Sequence, residues 1–160
     1  MQRTENITKE GSRKLVNFRI DRKDYALDID KIIEIISYKE ITPIPRLPLF
    51  VEGVVELRGV VIPVIDLKKK LQLTQVSDKS PSHILIVNIR RTKVGIIVDE
   101  VKEVIGVEER SIHLPHDFIK DKEFEYLKGI CKFKDRLILI LDVEGLFTHD
   151  ERNALSEIRT

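Results

Sequence analysis

The chain of 160 residues has one cysteine, no tryptophan and almost no excess of charge. A single cysteine rules out an intrachain disulfide and is compatible with a reducing compartment. The formal net charge of +1 argues against a nucleic-acid-binding surface dominated by phosphate contacts, because such surfaces usually leave a basic excess in the composition. No run approaches the ~20 apolar residues of a membrane span, and no apolar segment of signal-peptide length lies near the N-terminus. We therefore expect a soluble, cytoplasmic protein.

Motifs that carry catalysis are also missing. There is no Gly-x-Gly-x-x-Gly, no Gly-Lys-Ser/Thr phosphate loop, no Gly-x-Ser-x-Gly elbow and no His-Glu-x-x-His. The best metal candidate is His113 with His116 and Asp117, but Pro115 breaks the helix that would aim both imidazoles at one ion. Cys131 is expected to be a small strand residue rather than a reactive thiol. The sequence therefore predicts no enzyme, no cofactor and no metal.

The chain carries an internal duplication. Residues 15–36 align without a gap on residues 84–105, an offset of 69 (84 minus 15), and residues 53–71 align on residues 129–147, an offset of 76 (129 minus 53). A period of roughly 70 residues is too long for a solenoid unit and suits two small subdomains. Features that both copies share are expected to be structural, whereas features of one copy are candidates for function.

Strand patterns dominate both copies. The run LVNFRID places Val16, Phe18 and Ile20 inward and Asn17 and Arg19 outward by simple alternation. Short strands with tight turns and little helix predict small closed barrels, since so small a sheet leaves exposed edges unless it curls on itself. The predicted fold is therefore mainly β, with two five-stranded β-barrels related by duplication, short helices and a C-terminal helix.

Composition along the chain sets the predicted boundaries. A polar, aperiodic start predicts a flexible tail, and a polar segment that contains a proline predicts the joint between the two barrels. Thr148 or Asp150 is the expected N-cap of the closing helix. The predicted divisions are a tail at 1–13, barrel one at about 14–76, a joint at 77–82, barrel two at about 83–147 and a C-terminal helix at 149–160.

One residue present only in the first copy is a candidate for partner recognition. Arg58 precedes Gly59 at a predicted tight turn, where the second copy has Lys134 and Asp135. An arginine held at such a turn presents a guanidinium fork suited to bidentate recognition of a carboxylate on a partner. A plain solvent-exposed turn residue remains the alternative. The lysine run 68–70 is expected to be a solvated face.

Several motifs together resemble the CheW adaptor family of bacterial chemotaxis. They are VVELRGVVIPVIDL from Val54, YALDI from Tyr25, VGIIVD from Val94 and LKG from Leu127, and the resemblance extends over about residues 14–148. It implies two five-stranded, SH3-like barrels and a non-enzymatic scaffold. Such an adaptor couples the cytoplasmic hairpin tip of chemoreceptors, the methyl-accepting chemotaxis proteins, to the regulatory domain of the histidine kinase CheA.

The resemblance also implies which residues contact these two partners. The expected receptor-binding residues are Ile32, Glu34, Arg58 and Val104, and the expected kinase-binding residues are Glu52 and Gly53.

Two other functions stay open. A CheW-like adaptor could serve a non-flagellar pathway such as twitching motility. A tandem barrel could also bind RNA or single-stranded DNA, but that function needs exposed aromatic residues beside basic ones, and only 6% of the chain is aromatic.

Overall fold

The computed structural model describes residues 11–73, 80–114 and 125–158, which form ten strands and two α-helices. Short 3₁₀ turns at Ile29–Lys31 and Glu109–Ser111 lead into β3 and follow β8. The strands are β1 Ser12–Ile20, β2 Lys23–Asp28, β3 Ile32–Ser37, β4 Val51–Leu57, β5 Val60–Asp66, β6 His83–Ile89, β7 Thr92–Val98, β8 Glu100–Glu108, β9 Leu127–Phe133 and β10 Arg136–Leu141; the helices are α1 Leu67–Lys70 and α2 His149–Ile158.

Four two-residue turns build the hairpins of the fold. They are Asp21–Arg22, Arg58–Gly59, Arg90–Arg91 and Lys134–Asp135, and both residues of each have a positive φ. This is the type I′ geometry, whose twist matches the right-handed twist of the flanking strands. The turns predicted at Arg58–Gly59 and Lys134–Asp135 are confirmed.

The ten strands form two five-stranded sheets that repeat one topology. Barrel A has the strand order β8-β1-β2-β10-β9, and barrel B has the order β3-β6-β7-β5-β4. Replacing each strand of barrel A by its duplicate in the other copy reproduces the order of barrel B. The mainly β fold with two duplicated five-stranded units is thus confirmed.

The halves of the chain are interleaved between the barrels. Barrel A takes β1 and β2 from the first copy and the other three strands from the second, and barrel B does the reverse. Parallel pairs β2–β10 and β5–β7 join the copies within each sheet. The prediction that residues 14–76 and 83–147 each form one barrel is therefore wrong. Both hairpins carry the same apolar pattern, so the sequence repeat could not say which one the remaining strands would join.

The expected ends of the ordered region also shift slightly. Strand β1 begins at Ser12, so the expected tail at 1–13 overlaps the sheet. Residues 1–10 lie outside the described residues, as does half of the expected joint at 77–82, residues 77–79.

Each sheet is closed by one isolated bridge beyond its last strand. In barrel B, Thr42 and Val54 exchange two backbone hydrogen bonds of 2.9 Å. In barrel A, His113 and Ile130 do the same at 2.8 and 2.9 Å. These bridges pair backbone groups that would otherwise form open sheet edges, which explains how five short strands make a stable unit.

The largest apolar cluster lies between the barrels and not inside either of them. Strands β1, β2, β6 and β7 bury both faces: in β6, Leu85 and Val87 join this central core, whereas Ile84 and Ile86 fill the interior of barrel B. Barrel A has its own interior cluster, which includes Leu15. Strands buried on both faces appear in the sequence as continuous apolar runs such as HILIVNI.

Asn17 departs from the predicted alternation. The pattern predicts that it faces outward, but it is fully buried inside barrel A. Its side-chain amide donates to the Tyr25 carbonyl oxygen at 3.0 Å and to Asp24 Oδ1 at 3.3 Å. Arg136 donates to its Oδ1 at 3.4 Å. A polar group can face the interior because each of its polar atoms has a partner there.

The closing helix begins with a capping box. The Glu151 backbone N–H donates to Thr148 Oγ1 at 3.1 Å, and the Thr148 N–H donates to Glu151 Oε1 at 2.8 Å. The predicted cap at Thr148 is confirmed, and Asp150 lies in the first turn. The helix packs on β5 and β7, and its Leu155 is buried in the central core.

The lysine run at residues 68–70 is not a solvated face, so that prediction is wrong. Lys68 lies 3.4 Å from Asp99, Lys69 lies 2.6 Å from Glu52, and Lys70 lies 3.1 Å from Glu151. Lys70 also sits over the rings of Phe50 and Phe147. The run ties the end of β5 to β4, to the β7–β8 junction and to α2.

Interleaving predicts that neither half of the chain folds alone. Residues 1–76 expressed separately would hold only two strands of barrel A and three of barrel B, with the central core exposed. We expect both this fragment and residues 77–160 to lack a cooperative thermal transition by circular dichroism, and their mixture to regain one. A cooperative transition in either isolated fragment would contradict the interleaved fold.

Candidate partner-binding surface

Arg58 forms an ion pair with Glu34 at the seam where barrel B closes. Arg58 occupies the first position of the β4–β5 turn, and its Nη2 donates to Glu34 Oε1 on β3. The Arg58 side chain remains 70% exposed. Guanidinium has five N–H donors, so those not used by Glu34 stay available to a partner. The sequence pointed to an arginine presented to a partner but did not indicate its intramolecular carboxylate.

Other contacts fix the same seam. Lys39 Nζ donates to the Glu56 carbonyl oxygen at 2.9 Å, and the Thr42–Val54 bridge follows further along. Ile33 and Ile35 on β3 are both exposed. Strand β3 therefore carries the charge pair on one face and exposed apolar side chains on the other, on a backbone held in place by hydrogen bonds.

The structure brings together three of the four predicted receptor-binding residues. Ile32 and Glu34 lie on β3, and Glu34 contacts Arg58. Ile32 is half-buried and packs against the central core. Val104 lies in the other barrel, on β8, and is 52% exposed. It is the duplicate of Ile35, at the offset of 69 (104 minus 35), so an exposed apolar side chain occupies the equivalent position of each barrel.

The two predicted kinase-binding residues lie at the start of β4. Lys69 Nζ lies 2.6 Å from Glu52 Oε2 in an ion pair, and this contact with Glu52 is the main cause of the raised pKa of Lys69. Gly53 has no room for a side chain, because a Cβ would lie 2.2 Å from the Thr42 carbonyl oxygen. Its duplicate Gly129 is equally confined, because a Cβ there would lie 2.5 Å from Ile112 Cγ2. Barrel closure therefore requires both glycines, whatever binds nearby.

The candidates for reactive chemistry gain no support. Cys131 is buried, and burial raises the pKa of its thiol, which keeps it protonated. His113 belongs to the bridge that closes barrel A, whereas His116 and Asp117 lie outside the described residues. Within residues 11–73, 80–114 and 125–158, no group of three or more His, Cys, Asp or Glu side chains is arranged to hold a metal ion. No helix in those ranges is long and apolar enough to cross a membrane.

Comparison with known proteins gives matches that span most of the chain. A family model described as CheW-like domain matches residues 14–151. Chemotaxis protein CheW of Thermotoga maritima is 36% identical over 132 residues, which cover 82% of this chain and 85% of that protein. Chemotaxis protein CheW of Bacillus subtilis is 34% identical over 134 residues, with coverages of 83% and 85%. The crystal structure of scaffolding protein TtCheW from Thermoanaerobacter tengcongensis matches with a TM-score of 0.77 and 38% identity, covering 87% of this chain and 94% of that one.

These matches, together with the two-barrel fold, identify the class as the CheW family of chemotaxis scaffold and adaptor proteins. The family model covers more than four-fifths of the sequence, and the relatives align over most of their own length. The chain belongs to the CheW-like domain family.

The closure of barrel B predicts different tolerances at two glycines. Gly53→Ala forces a Cβ into the Thr42 backbone at a φ of +151°, so we expect a loss on the order of 3 kcal/mol in the free energy of unfolding. Gly106→Ala on β8 is the matched control, since a Cβ there meets nothing within 4 Å; it should change stability by less than about 1 kcal/mol. Urea denaturation measures both. Equal stability of the two variants would refute the assigned role of Gly53.

Proposed function

We propose that the chain is a non-enzymatic adaptor that couples chemoreceptors to the histidine kinase CheA in the cytoplasm. Membership of the CheW-like family supports the role, and the exposed Glu34–Arg58 pair is the observation that carries it. Relatives are named as chemotaxis and scaffolding proteins, and the crystal structure of the scaffolding protein has the same fold. The proposed partners are the receptor cytoplasmic hairpin tip and the regulatory domain of CheA.

The receptor is proposed to bind along β3 and β8. Apolar side chains of a helical hairpin would pack on Ile32 and Val104, and Arg58 would fix the register by binding a receptor carboxylate. An exposed ion pair is worth only about 0–1 kcal/mol, so sharing Arg58 between Glu34 and a partner carboxylate costs little. Several apolar contacts plus one oriented charge are typical of a helix laid in a groove.

The kinase is proposed to bind on the other side of barrel B, at the start of β4. Glu52 is part-exposed beside Lys69, whereas Gly53 is buried against the Thr42 backbone. A barrel of the kinase would therefore contact the Glu52 side chain, and Gly53 would act by holding the β4 backbone in place. Such small contacts predict modest single affinities that repetition in a receptor array would strengthen.

Charge reversal at Arg58 tests the receptor site. Arg58→Glu places a second carboxylate beside Glu34 and removes the guanidinium that would donate to a receptor carboxylate. We therefore expect receptor cytoplasmic fragments to bind at least about tenfold more weakly. Co-sedimentation with these fragments and with CheA measures receptor binding, kinase binding and kinase activation in one assay. Kinase binding and the melting temperature should stay unchanged because the side chain is mostly exposed.

Lys134→Glu is the matched control for this experiment. Lys134 is the duplicate of Arg58 at the offset of 76 (134 minus 58), it has the same φ of 51°, and its turn belongs to barrel A. The same change of charge there should leave receptor binding intact. The double variant Glu34→Arg/Arg58→Glu restores the internal ion pair but moves the cation from the β4–β5 turn to β3. It should therefore still bind receptor fragments weakly. Full receptor binding by Arg58→Glu would remove Arg58 from the site.

A further inference from the structure

One face of barrel B is covered by α2. The helix packs on β5 and β7, with Leu155 and Ile158 against the central core. On the same two strands, Pro63 of β5 and Thr92 of β7 are both buried. An amphipathic helix therefore packs on the parallel strand pair of barrel B.

The equivalent face of barrel A is open only at one end, beside the β1–β2 and β9–β10 turns, whereas Tyr25 and Leu27 on the same face belong to the central core. Duplication places Leu139 at the position of Pro63 (139 minus 63 is 76) and Lys23 at the position of Thr92 (92 minus 23 is 69). Lys23 is exposed where Thr92 is buried, and Leu137, next along β10, is 68% exposed. Strands β2 and β10 thus form the same parallel pair as β7 and β5, but neither α1 nor α2, the two helices of the described residues, packs extensively on them.

This open face forms a groove with a defined chemistry, which we name the β2–β10 groove. Leu139 continues the central core outward and Leu137 lies beyond it, so the floor is apolar. Arg22 and Lys23 are exposed on the rim, and neither has an ion pair within the part of the chain that the structure describes. The groove has a volume of about 330 Å³ and is lined by Arg22, Lys23, Asp24, Arg136, Leu137 and Leu139.

The side chains at the end of the groove are fixed in place. Asp24, the carboxylate of the lining, lies 3.4 Å from Arg19 Nε and 3.5 Å from Arg136 Nη1. Arg136 also contacts Glu103 at 3.3 Å and the buried Asn17. Because Asp24 is neutralised, the two rim cations determine the sign of the charge that a ligand meets. A fixed wall also lowers the entropy cost of binding.

We propose that the β2–β10 groove docks an amphipathic helix of a partner protein, with apolar side chains on Leu137 and Leu139 and carboxylates against Arg22 and Lys23. The position of α2 on barrel B supports a helix as the occupant, and the two exposed rim cations support an acidic one. None of the residues that line the groove belongs to the proposed receptor or kinase sites, although Arg136 contacts Glu103 on β8, next to Val104. The proposal therefore stands on its own lining residues.

A pair of designed peptides tests the groove on the full chain. The probe is a helix of about 18 residues, long enough to be populated in water, with leucines at i, i+3, i+4 and i+7 and glutamates flanking them. Its matched partner carries lysine in place of each glutamate. We expect the acidic peptide to shift the amide resonances of ¹⁵N-labelled protein at residues 22–24 and 136–139 in a saturable way, and to bind at least about tenfold more tightly than the basic one.

Two variants and one control locate the binding. Leu137→Ser should weaken the acidic peptide by about tenfold, as loss of an apolar anchor does, and Lys23→Glu should abolish the preference for the acidic peptide. Leu49→Ser, which removes a highly exposed leucine in the loop between β3 and β4, should change neither the affinity for the acidic peptide nor the preference for it. Binding without saturation, equal binding of the two peptides, or shifts confined to other strands would overturn the proposal. A dimer of the chain that Leu137→Ser dissociates would also overturn it, because a second copy would then fill the groove.

Discussion

The core between the two barrels is the interaction on which the rest of the structure depends. Hairpins β1–β2 and β6–β7 bury one face in their own barrel and the other against each other. Separating either hairpin from the rest of the protein would expose apolar residues on both of its faces. The central strands therefore tolerate little change in polarity. Substitutions that this fold tolerates are therefore expected at the turns, the outer strands and the surfaces beside them.

Differences between the copies determine what these outer surfaces can bind. The β4–β5 turn carries Arg58 beside Glu34, while its duplicate carries Lys134. One parallel strand pair lies under α2, and the other exposes Leu137. A duplicated scaffold can thus present unlike surfaces at equivalent places while its buried face stays the same, which is what an adaptor with more than one partner needs.

Local features of this fold were predictable and long-range pairings were not. Alternation and turn residues predicted the strands and the cap at Thr148, because these depend on neighbours in sequence. The duplication was evident from aligning the chain with itself. Strand exchange depends on which of two similar hairpins a strand joins. Asn17 is buried because Arg136, 119 residues away, reaches its amide oxygen. The motif around Arg58 indicated the site. Its contact with Glu34 was not predictable, because it crosses the closed seam of barrel B and no local sequence pattern encodes it.

Native-state hydrogen exchange tests most directly whether a single shared core holds both barrels. Amides of β1 and β2 belong to barrel A and those of β6 and β7 to barrel B, yet all four strands line the central core. A single shared core predicts that the slowest amides of the four strands exchange with one common free energy of opening, equal to that of global unfolding. Two separate classes, with one barrel opening while the other stays protected, would contradict it.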